Sequence, residues 1–329
     1  MLLLRFPEPM RAATWPAEQE ADMPNPPLRP RFPVSLPTLF TAAWLALVTP
    51  HALACPPEGW TVEQLRGLKA AKFKLDDNMA RSQLALALVP CLRSPDPELR
   101  DGVAFEALSA WLRGGALSGA TARELGSVLR VDLARADEAG FGPPFAALAL
   151  SEVARADRLK ALWTAVERDA VVTEASEYLK GIRDYRGFDA KQGWRHGVAH
   201  AADLLMQLAM NPVLDRAQLD RILDAVATQV LAGNQHAYVF GEGERLLRPV
   251  VFVARRMLHN EAEWTAWFGR ISLAAMPPPE GPTSLAALAQ RHNARGFFYP
   301  LYAALQESGD VEMRKRLMPG LVAAVRSLN

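Results

Sequence analysis

The sequence predicts an all-α protein, and three observations support this. From Thr61 onward, segments of about 12 to 17 residues carry apolar side chains at helical spacing. Capping residues, glycines and prolines separate these segments at short intervals. No segment shows the period-two alternation of β-branched residues that marks a strand, so we expect no sheet.

Helices of this length joined by short links are typical of stacked antiparallel pairs. We therefore expect a solenoid-like array of the HEAT or armadillo type. The chain has no strict internal repeat. A non-repeating helical bundle is the alternative.

Capping residues and breakers predict the individual helices in order. Thr61 with Gln64 forms a capping box that starts the first helix, and Asp76 or Asp77 starts the second. The later helices are expected at residues 101–112, 121–136, 145–156, 159–166, 171–183, 193–211, 219–231, 244–258, 261–273, 285–306 and 311–328. We expect a break or kink at Pro249, Pro300 and Pro319, because proline lacks an N–H group and clashes with the preceding turn.

The first 54 residues are predicted to be an N-terminal extension and signal peptide rather than part of the fold. Arg29 and Arg31 precede a charge-free apolar run at 34–48, and Ala52-Leu53-Ala54 has the pattern of a cleavage site. The run of about 15 residues is shorter than the roughly 20 needed to span a membrane. We therefore expect an exported protein, periplasmic or secreted, with no membrane span in the mature chain. Met23 is an alternative start, and an uncleaved N-terminal anchor is the alternative reading.

The remaining residues, 55–329, are predicted to form a single all-α domain with a linker-like break at 276–282. The two cysteines, Cys55 and Cys91, agree with export, because they could pair in an oxidising compartment. Cys55 is also the first residue after the predicted cut. A lipid anchor on Cys55 is therefore the alternative to the disulfide.

Composition and motif searches exclude several classes of function. The chain has 37 basic and 36 acidic residues, which leaves no electrostatic footprint for nucleic acid. It contains no nucleophile elbow, P-loop or dinucleotide fingerprint. Gly197 occupies the position at which a zinc-protease HExxH motif has its glutamate.

Residues 184–207 give the strongest indication of a site. With about 100° of rotation per residue, a helix here places His196, His200, Asp203 and Gln207 on one narrow stripe. The other helical residues are apolar nearly all round, so the helix should be buried and the stripe needs partners. We expect the stripe to meet the segment 242–245, where a carboxylate would raise the pKa of a histidine.

The candidate pocket contains ten residues: His196, His200, Asp203, Asp184, Arg186, Lys191, Trp194, Glu242, Glu244 and Arg245. The spacing of His196, His200 and Asp203 would allow one helix face to bind a metal. A buried hydrogen-bonded network explains these three residues equally well. Asp184, Arg186 and Lys191 could hold the preceding loop by ion pairing or bind an anion, whereas Trp194 is expected to be a core anchor.

The same segment resembles a bacterial family catalogued as domain of unknown function 2785. The matching residues are Asp184, Arg186, Gly187, Phe188, Lys191, Gly193, Trp194, His196, His200, Asp203, Leu204 and Leu205. The segments 94–101 and 242–245 resemble flanking motifs, and the resemblance covers about residues 60–270. Pro143-Pro144 departs from the pattern, which has an Arg-Ser pair there. The resemblance implies an all-helical fold and no particular mechanism.

Two functions remain open from the sequence. The first is a ligand- or peptide-binding or scaffold module whose groove is lined by the histidine, aspartate and glutamate residues named above. The second is a hydrolase-like enzyme, with or without a metal, that uses the same residues. The sequence pattern favours no particular cofactor, substrate or oligomeric state.

Overall fold

The computed structural model describes residues 55–232, 235–276 and 283–329, and these are mostly helical, as predicted. The predicted signal peptide and nearly all of the linker-like break at 276–282 lie outside the described residues. The α-helices of the described part are α1 (Val62–Ala70), α2 (Asn78–Ala87), α3 (Glu106–Arg113), α4 (Gly119–Leu133), α5 (Gly142–Leu159), α6 (Ala165–Gly181), α7 (Gly197–Ala209), α8 (Arg216–Val230), α9 (Glu242–Arg255), α10 (Glu261–Ala274), α11 (Leu285–Glu307) and α12 (Val311–Ser327).

The described residues also contain two short strands. β1 (Phe188–Asp189) pairs antiparallel with β2 (Gly193–Trp194), with Phe188 opposite Trp194. The expectation of no sheet was therefore wrong for this hairpin. Two residues per strand are too few to produce the alternation by which a strand is recognised in a sequence.

The N-terminal elements follow the capping residues. Thr61 and Gln64 form the expected capping box of α1, and the Asp77 side chain caps α2. A 3₁₀ segment (Val89–Arg93) and a π-helical segment (Glu98–Phe105) lead into α3. Cys55 and Cys91 are joined by a disulfide, with Cα atoms 5.0 Å apart.

The predicted helix at 159–166 was wrong. α5 ends at Leu159, and the buried Asp157 carboxylate accepts hydrogen bonds from the backbone N–H groups of Leu162 and Trp163. The same carboxylate pairs with Arg168. This network closes a short loop, after which Thr164 caps α6 as one continuous helix. A side chain that satisfies loop N–H groups competes with helix formation.

None of the three prolines breaks its helix, since α9, α11 and α12 continue through Pro249, Pro300 and Pro319, so of the predicted break or kink the break was wrong. A proline within a helix removes one hydrogen bond. Packing of the apolar faces of these helices offsets that loss, because tertiary burial supplies most helical stability in proteins.

The helices pack in two series. In the first, α5 packs on α7, α7 on α9 and α9 on α11. In the second, α6 packs on α8 and α10 on α12. α7 lies within the first series and also contacts α6, which explains why nearly every α7 side chain is buried. Within the described residues, no helix combines the length and the apolar composition that crossing a membrane requires.

α9 and α11 approach each other closely at a pair of glycines. A Cβ atom added to Gly243 would lie 2.7 Å from the carbonyl carbon of Gly296, in backbone that cannot move aside. Gly269, within α10, has no neighbour within 4 Å of an added Cβ. Packing against α11 therefore requires a glycine at position 243, whereas packing does not require one at position 269.

We expect Gly243→Ala to lower the free energy of unfolding by at least about 2 kcal/mol, because the two helices must separate. The matched variant Gly269→Ala should raise it by about 0.5–1 kcal/mol, because alanine loses less backbone entropy in a helix. Urea unfolding of both variants measures the difference. Equal effects of the two substitutions would contradict the close approach.

Candidate functional site

α7 begins one residue after His196, which therefore caps the helix rather than lying on it. The backbone of His196 is left-handed, with φ 55° and ψ 40°. Histidine is among the non-glycine residues that tolerate this conformation best. The expected stripe is therefore shorter by one member, since only His200, Asp203 and Gln207 project from the helix.

The His196 side chain is held at both sides. Its Nε2 atom lies 3.0 Å from the Phe240 carbonyl oxygen, and its ring stacks on Trp194 with centroids 4.7 Å apart. A carbonyl oxygen can only accept a hydrogen bond, so Nε2 carries the proton and Nδ1 is the free acceptor of the neutral ring. The contact with Phe240 thus fixes the tautomer.

His200 lies deeper in the protein than His196. Its ring centroid is 5.8 Å from that of His196 and 5.1 Å from that of Phe145, which it meets edge to face. Its Nδ1 atom is buried and has no hydrogen-bond partner among the described residues. His200 is therefore part of the core on one side of α7.

Both histidines remain neutral at pH 7. Burial, and then the nearby Arg245 guanidinium, lowers the pKa of His196 to about 4, although its hydrogen bond to Phe240 opposes the shift. Burial is also the main reason why the pKa of His200 lies well below its ordinary value, with His196 and Arg245 contributing. The expectation that a carboxylate would raise a histidine pKa was wrong, because the nearest carboxylate of the stripe is paired with arginine.

That carboxylate belongs to Asp203, which connects α7 to α9. Arg245 Nε donates to Asp203 Oδ1 at 3.0 Å, and Arg245 Nη2 donates to Asp203 Oδ2. Arg248 Nη1 lies 3.6 Å from the same carboxylate. The polar stripe and the segment 242–245 therefore meet, and an ion pair joins them.

Glu242 is linked to His196 only indirectly. Its Oε2 atom accepts the N–H of Phe240 at 2.9 Å, while the carbonyl of Phe240 accepts from His196. Burial raises the pKa of Glu242. Glu244 is exposed, and together with Glu242 it lines a cavity of about 140 Å³ whose lining does not include His196, His200 or Asp203.

The remaining predicted residues stabilise the loop before α7. Asp184 and Arg186 form an ion pair, and Arg186 Nη2 also donates to the Glu138 carbonyl at 3.1 Å. Lys191 is exposed and contributes its backbone N–H to Asp189 Oδ1 at 2.8 Å. These three residues belong to the loop, and the Arg186 carbonyl also accepts the backbone N–H of His196 at 3.3 Å.

The arrangement does not form a metal centre. Among the residues that the structure describes, no group of three or more His, Cys, Asp or Glu side chains could hold a metal ion. His196 Nε2 is bonded to a carbonyl, and both oxygens of Asp203 are bonded to Arg245. Two members of the predicted ligand set, His196 through Nε2 and Asp203 through both oxygens, are thus engaged in other contacts.

Trp194 is a surface residue, contrary to its expected role as a core anchor. Its ring lies 5.1 Å from Phe188 and 5.8 Å from Phe240, measured between centroids. Phe188 is 50% exposed and Trp194 is 38% exposed. Phe188, Trp194 and Phe240 together are called the aromatic patch below.

Two buried arginines that the sequence argument missed support this patch. Arg100 is fully buried, and its Nη2 atom donates to the Gln192 carbonyl in the hairpin turn at 2.7 Å. Arg195 donates to the Ala139 carbonyl at 2.7 Å, and both guanidinium carbons lie 4.2 Å from the centre of the Phe141 ring. Arg100 lies in the segment 94–101 that carried part of the resemblance, but no spacing rule distinguishes a buried arginine from a surface one.

The lowered pKa of His196 does not suit this residue to acid–base chemistry at neutral pH. A general base acts best when its pKa lies near the working pH. The pKa of about 4 makes His196 a weak base and a permanent hydrogen-bond donor to Phe240 at neutral pH. Its evident physical effect is to hold Trp194 and the loop that contains Phe240.

The lowered pKa of His196 predicts a loss of stability in acid. As the pH falls from about 6.5 to about 4, the unfolded chain binds a proton at this histidine and the folded chain does not. The free energy of unfolding should therefore fall over this window, by up to about 3 kcal/mol from His196 alone.

The variant His196→Asn tests whether His196 causes this fall in the free energy of unfolding. Asparagine accepts the left-handed backbone and does not titrate. Urea unfolding between pH 4 and pH 7 should give a shallower acid dependence for the variant. Parallel pH profiles for the two proteins would exclude His196 as the titrating group.

Comparisons with known proteins place the chain in a family. Residues 130–303, more than half of the chain, match the family described as protein of unknown function (DUF2785). Neither a curated protein nor a solved structure matches the chain. The matched region contains the loop, the histidine pair, Asp203 and Arg245. The resemblance carried by residues 184–207 is thereby confirmed, and the chain belongs to the DUF2785 family.

Proposed function

We propose that this protein is a binding module that recognises a protein or peptide partner through the aromatic patch. The observation that carries this proposal is the exposure of Phe188 and Trp194 on the hairpin. Exposed aromatic rings in contact with each other are uncommon on a surface that only meets water, and such patches often mark interaction sites. Aromatic side chains are also enriched among the residues that dominate binding energy.

The openness of the hairpin supports a macromolecular partner over a small molecule. Residues 188–191 are all exposed, so the rings belong to an open surface. Small-molecule sites are usually concave and enclose most of the ligand. Protein interfaces use aromatic anchors on flatter surfaces.

The fixed position of the rings supports the same proposal. Trp194 stacks on His196 and also contacts Phe188 and Phe240. Arg100 donates a hydrogen bond to the Gln192 carbonyl and thereby fixes the turn of the hairpin. A side chain that is already immobilised loses little conformational entropy on binding. In this proposal, His196 is a positioning residue.

We propose in addition that the helices form a solenoid-like scaffold that presents the hairpin. The two series of packed helices, α5–α7–α9–α11 and α6–α8, support this arrangement. Such arrays present extended binding surfaces. The hydrolase-like alternative has less support, because His196 Nε2 and the Asp203 carboxylate are engaged in structural contacts and the pKa of both histidines is lowered.

A peptide-display library panned against the full-length protein tests the binding proposal. We expect selected peptides to lose at least about tenfold in affinity on Trp194→Ala, as for a central interface aromatic. Val131→Ala is the matched control, because Val131 is 69% exposed and lies on α4, outside the patch. Circular dichroism should show that both variants remain folded.

Two outcomes would reject the proposal. One is a library that yields no specific peptide. The other is a set of peptides that bind the Trp194→Ala protein as tightly as the unchanged one.

We also propose that the protein is exported and that its mature form begins at or near Cys55. The disulfide between Cys55 and Cys91 supports export, since such bonds persist mainly in oxidising compartments. A Cys55 sulfur atom bonded to Cys91 cannot also carry a lipid thioether, which favours the soluble form over the lipid-anchored one.

Intact mass spectrometry of the natively expressed protein tests the export proposal. We expect a mass without the first 54 residues, and no reaction of the two thiols with an alkylating reagent before reduction. A native protein that retains residues 1–54 would refute cleavage at this site. Free thiols at both cysteines would refute the disulfide-based argument for export.

A further inference from the structure

A second surface feature lies along the side of α7 that carries Asp203. α7 packs on both α5 and α9. Asp203 and Gln207 are four residues apart, so they project from the same side of α7. Arg245 and Arg248 of α9 contact the Asp203 carboxylate. From the other neighbour, α5, Arg158 Nη2 lies 3.4 Å from Gln207 Oε1. Side chains of all three helices therefore meet on this side of α7.

Further arginines extend this surface along both neighbouring helices. Arg155 precedes Arg158 by three residues, so the two side chains lie on the same side of α5. On α9, Phe252 and Arg255 continue the side that carries Arg248, because the spacings are four and three residues. All of these residues are half-buried or exposed, so a partner can reach them. Five arginines are called the arginine face below: Arg155, Arg158, Arg245, Arg248 and Arg255.

Arg158 has no carboxylate partner among the residues that the structure describes. It bonds to the uncharged amide of Gln207. Burial and the like charge of Arg155 lower the pKa of Arg158, and no carboxylate opposes this shift. The Glu152 carboxylate of the same helix is bonded to Arg113 of α3 instead. The positive charge of Arg158 is therefore uncompensated.

On α9, one buried carboxylate serves two arginines. Asp203 accepts a hydrogen bond from Arg245, and Arg248 Nη1 lies 3.6 Å from the same carboxylate. Burial and the like charge of Arg245 lower the pKa of Arg248, although Asp203 and Glu244 oppose the shift. The whole chain has 37 basic and 36 acidic residues, so the excess of positive charge is local to this surface. Such a surface attracts an anionic partner.

The Asp203 side chain shows which anionic group suits these arginines. Arg245 donates from Nε and Nη2 to the two carboxylate oxygens of Asp203. A guanidinium group binds a carboxylate in this two-pronged geometry, and Arg158 has the same planar group. A carboxylate from a partner can therefore bind Arg158 as Asp203 binds Arg245.

The width of the arginine face indicates a partner with several carboxylates. Helices that pack side by side have axes about 8–10 Å apart, and α7 separates α5 from α9, so the outer two axes are roughly 16–20 Å apart. An extended peptide advances about 3.3 Å per residue, and a segment of about six residues spans this distance. A single phosphate ion is too small to reach both sides.

We propose that the arginine face binds an extended acidic peptide segment of a protein partner. Successive aspartate or glutamate side chains of the segment pair with the arginines of α5 and of α9, on either side of Asp203. Phe252 is half-buried, with its ring centre 5.1 Å from the Arg255 guanidinium carbon, and offers an apolar contact to the methylene groups of glutamate. This surface and the aromatic patch have no residue in common, so either can bind without the other.

Fluorescence polarisation with the full-length protein and labelled peptides tests this proposal. The probe is a peptide of about eight glutamates, longer than the face is wide, and the comparator is a glutamine peptide of the same length. We expect saturable binding of the glutamate peptide, at least about tenfold weaker binding of the glutamine peptide, and a fall in affinity as salt screens the charges. The Trp194→Ala protein should bind the glutamate peptide as tightly as the unchanged protein does.

A double variant with one substitution on each side of the face locates the binding. Arg158→Gln with Arg255→Gln should weaken binding at least about tenfold, because two charge-assisted contacts are lost. Arg123→Gln with Arg270→Gln is the matched control, since it removes the same charge from arginines of α4 and α10 that already form ion pairs. Circular dichroism should show that both double variants remain folded. If the first does not fold, Arg255→Glu, at an exposed position, takes its place and should also weaken binding.

The proposal is overturned if the glutamate peptide does not bind saturably, or if it binds the Arg158→Gln, Arg255→Gln protein as tightly as the control variant. Competition by inorganic tripolyphosphate at a lower concentration than unlabelled glutamate peptide would assign the face to phosphate and reject the acidic peptide. Binding of phosphatidylserine vesicles without binding of the peptide would reject it in favour of a membrane surface. Failure of the peptide-display experiment at Trp194 would leave all of these outcomes unchanged.

Discussion

The burial of α7 on nearly all sides is the constraint on which the surrounding structure depends. A buried charged side chain on such a helix is costly unless the protein itself supplies its partner. Asp203 therefore bonds to Arg245, and the capping residue His196 bonds to the Phe240 carbonyl. These two contacts fix the start of α9 and the loop that precedes it.

The same loop is held from two further helices. Asn293 of α11 accepts the N–H of Tyr238 at 2.7 Å and donates to the His236 carbonyl at 2.9 Å. The Tyr238 hydroxyl group donates to Gln229 of α8, a residue that in turn bonds to the end of α6. Residues of α8, α9 and α11, together with the capping residue of α7, thus bond to the described residues 235–241, which form no helix or strand. The conformation of these residues is determined by long-range contacts, which explains why the sequence argument described them only as a loop.

The sequence predicted the parts of the site that depend on periodicity. The apolar circumference of α7 indicated its burial, and the need for polar partners indicated contact between Asp203 and the segment 242–245. It could not predict the left-handed backbone of His196, because one such residue at the start of the helix does not change the spacing of the side chains. The direction of the histidine pKa shift also escaped prediction, since it depends on whether Asp203 meets an imidazole or Arg245. Spacing does not distinguish these two partners.

The contact between Arg100 and the hairpin limits the changes of length that this surface can accept. The turn at residues 189–193 is exposed, and exposed turns usually accept insertions and deletions. Here, however, the fully buried Arg100 bonds to the carbonyl of Gln192. A longer or shorter turn would move that carbonyl and leave a buried cation without one of its acceptors. In this chain, a new side chain at exposed Lys191 would leave that contact intact, whereas a change in the length of the turn would break it.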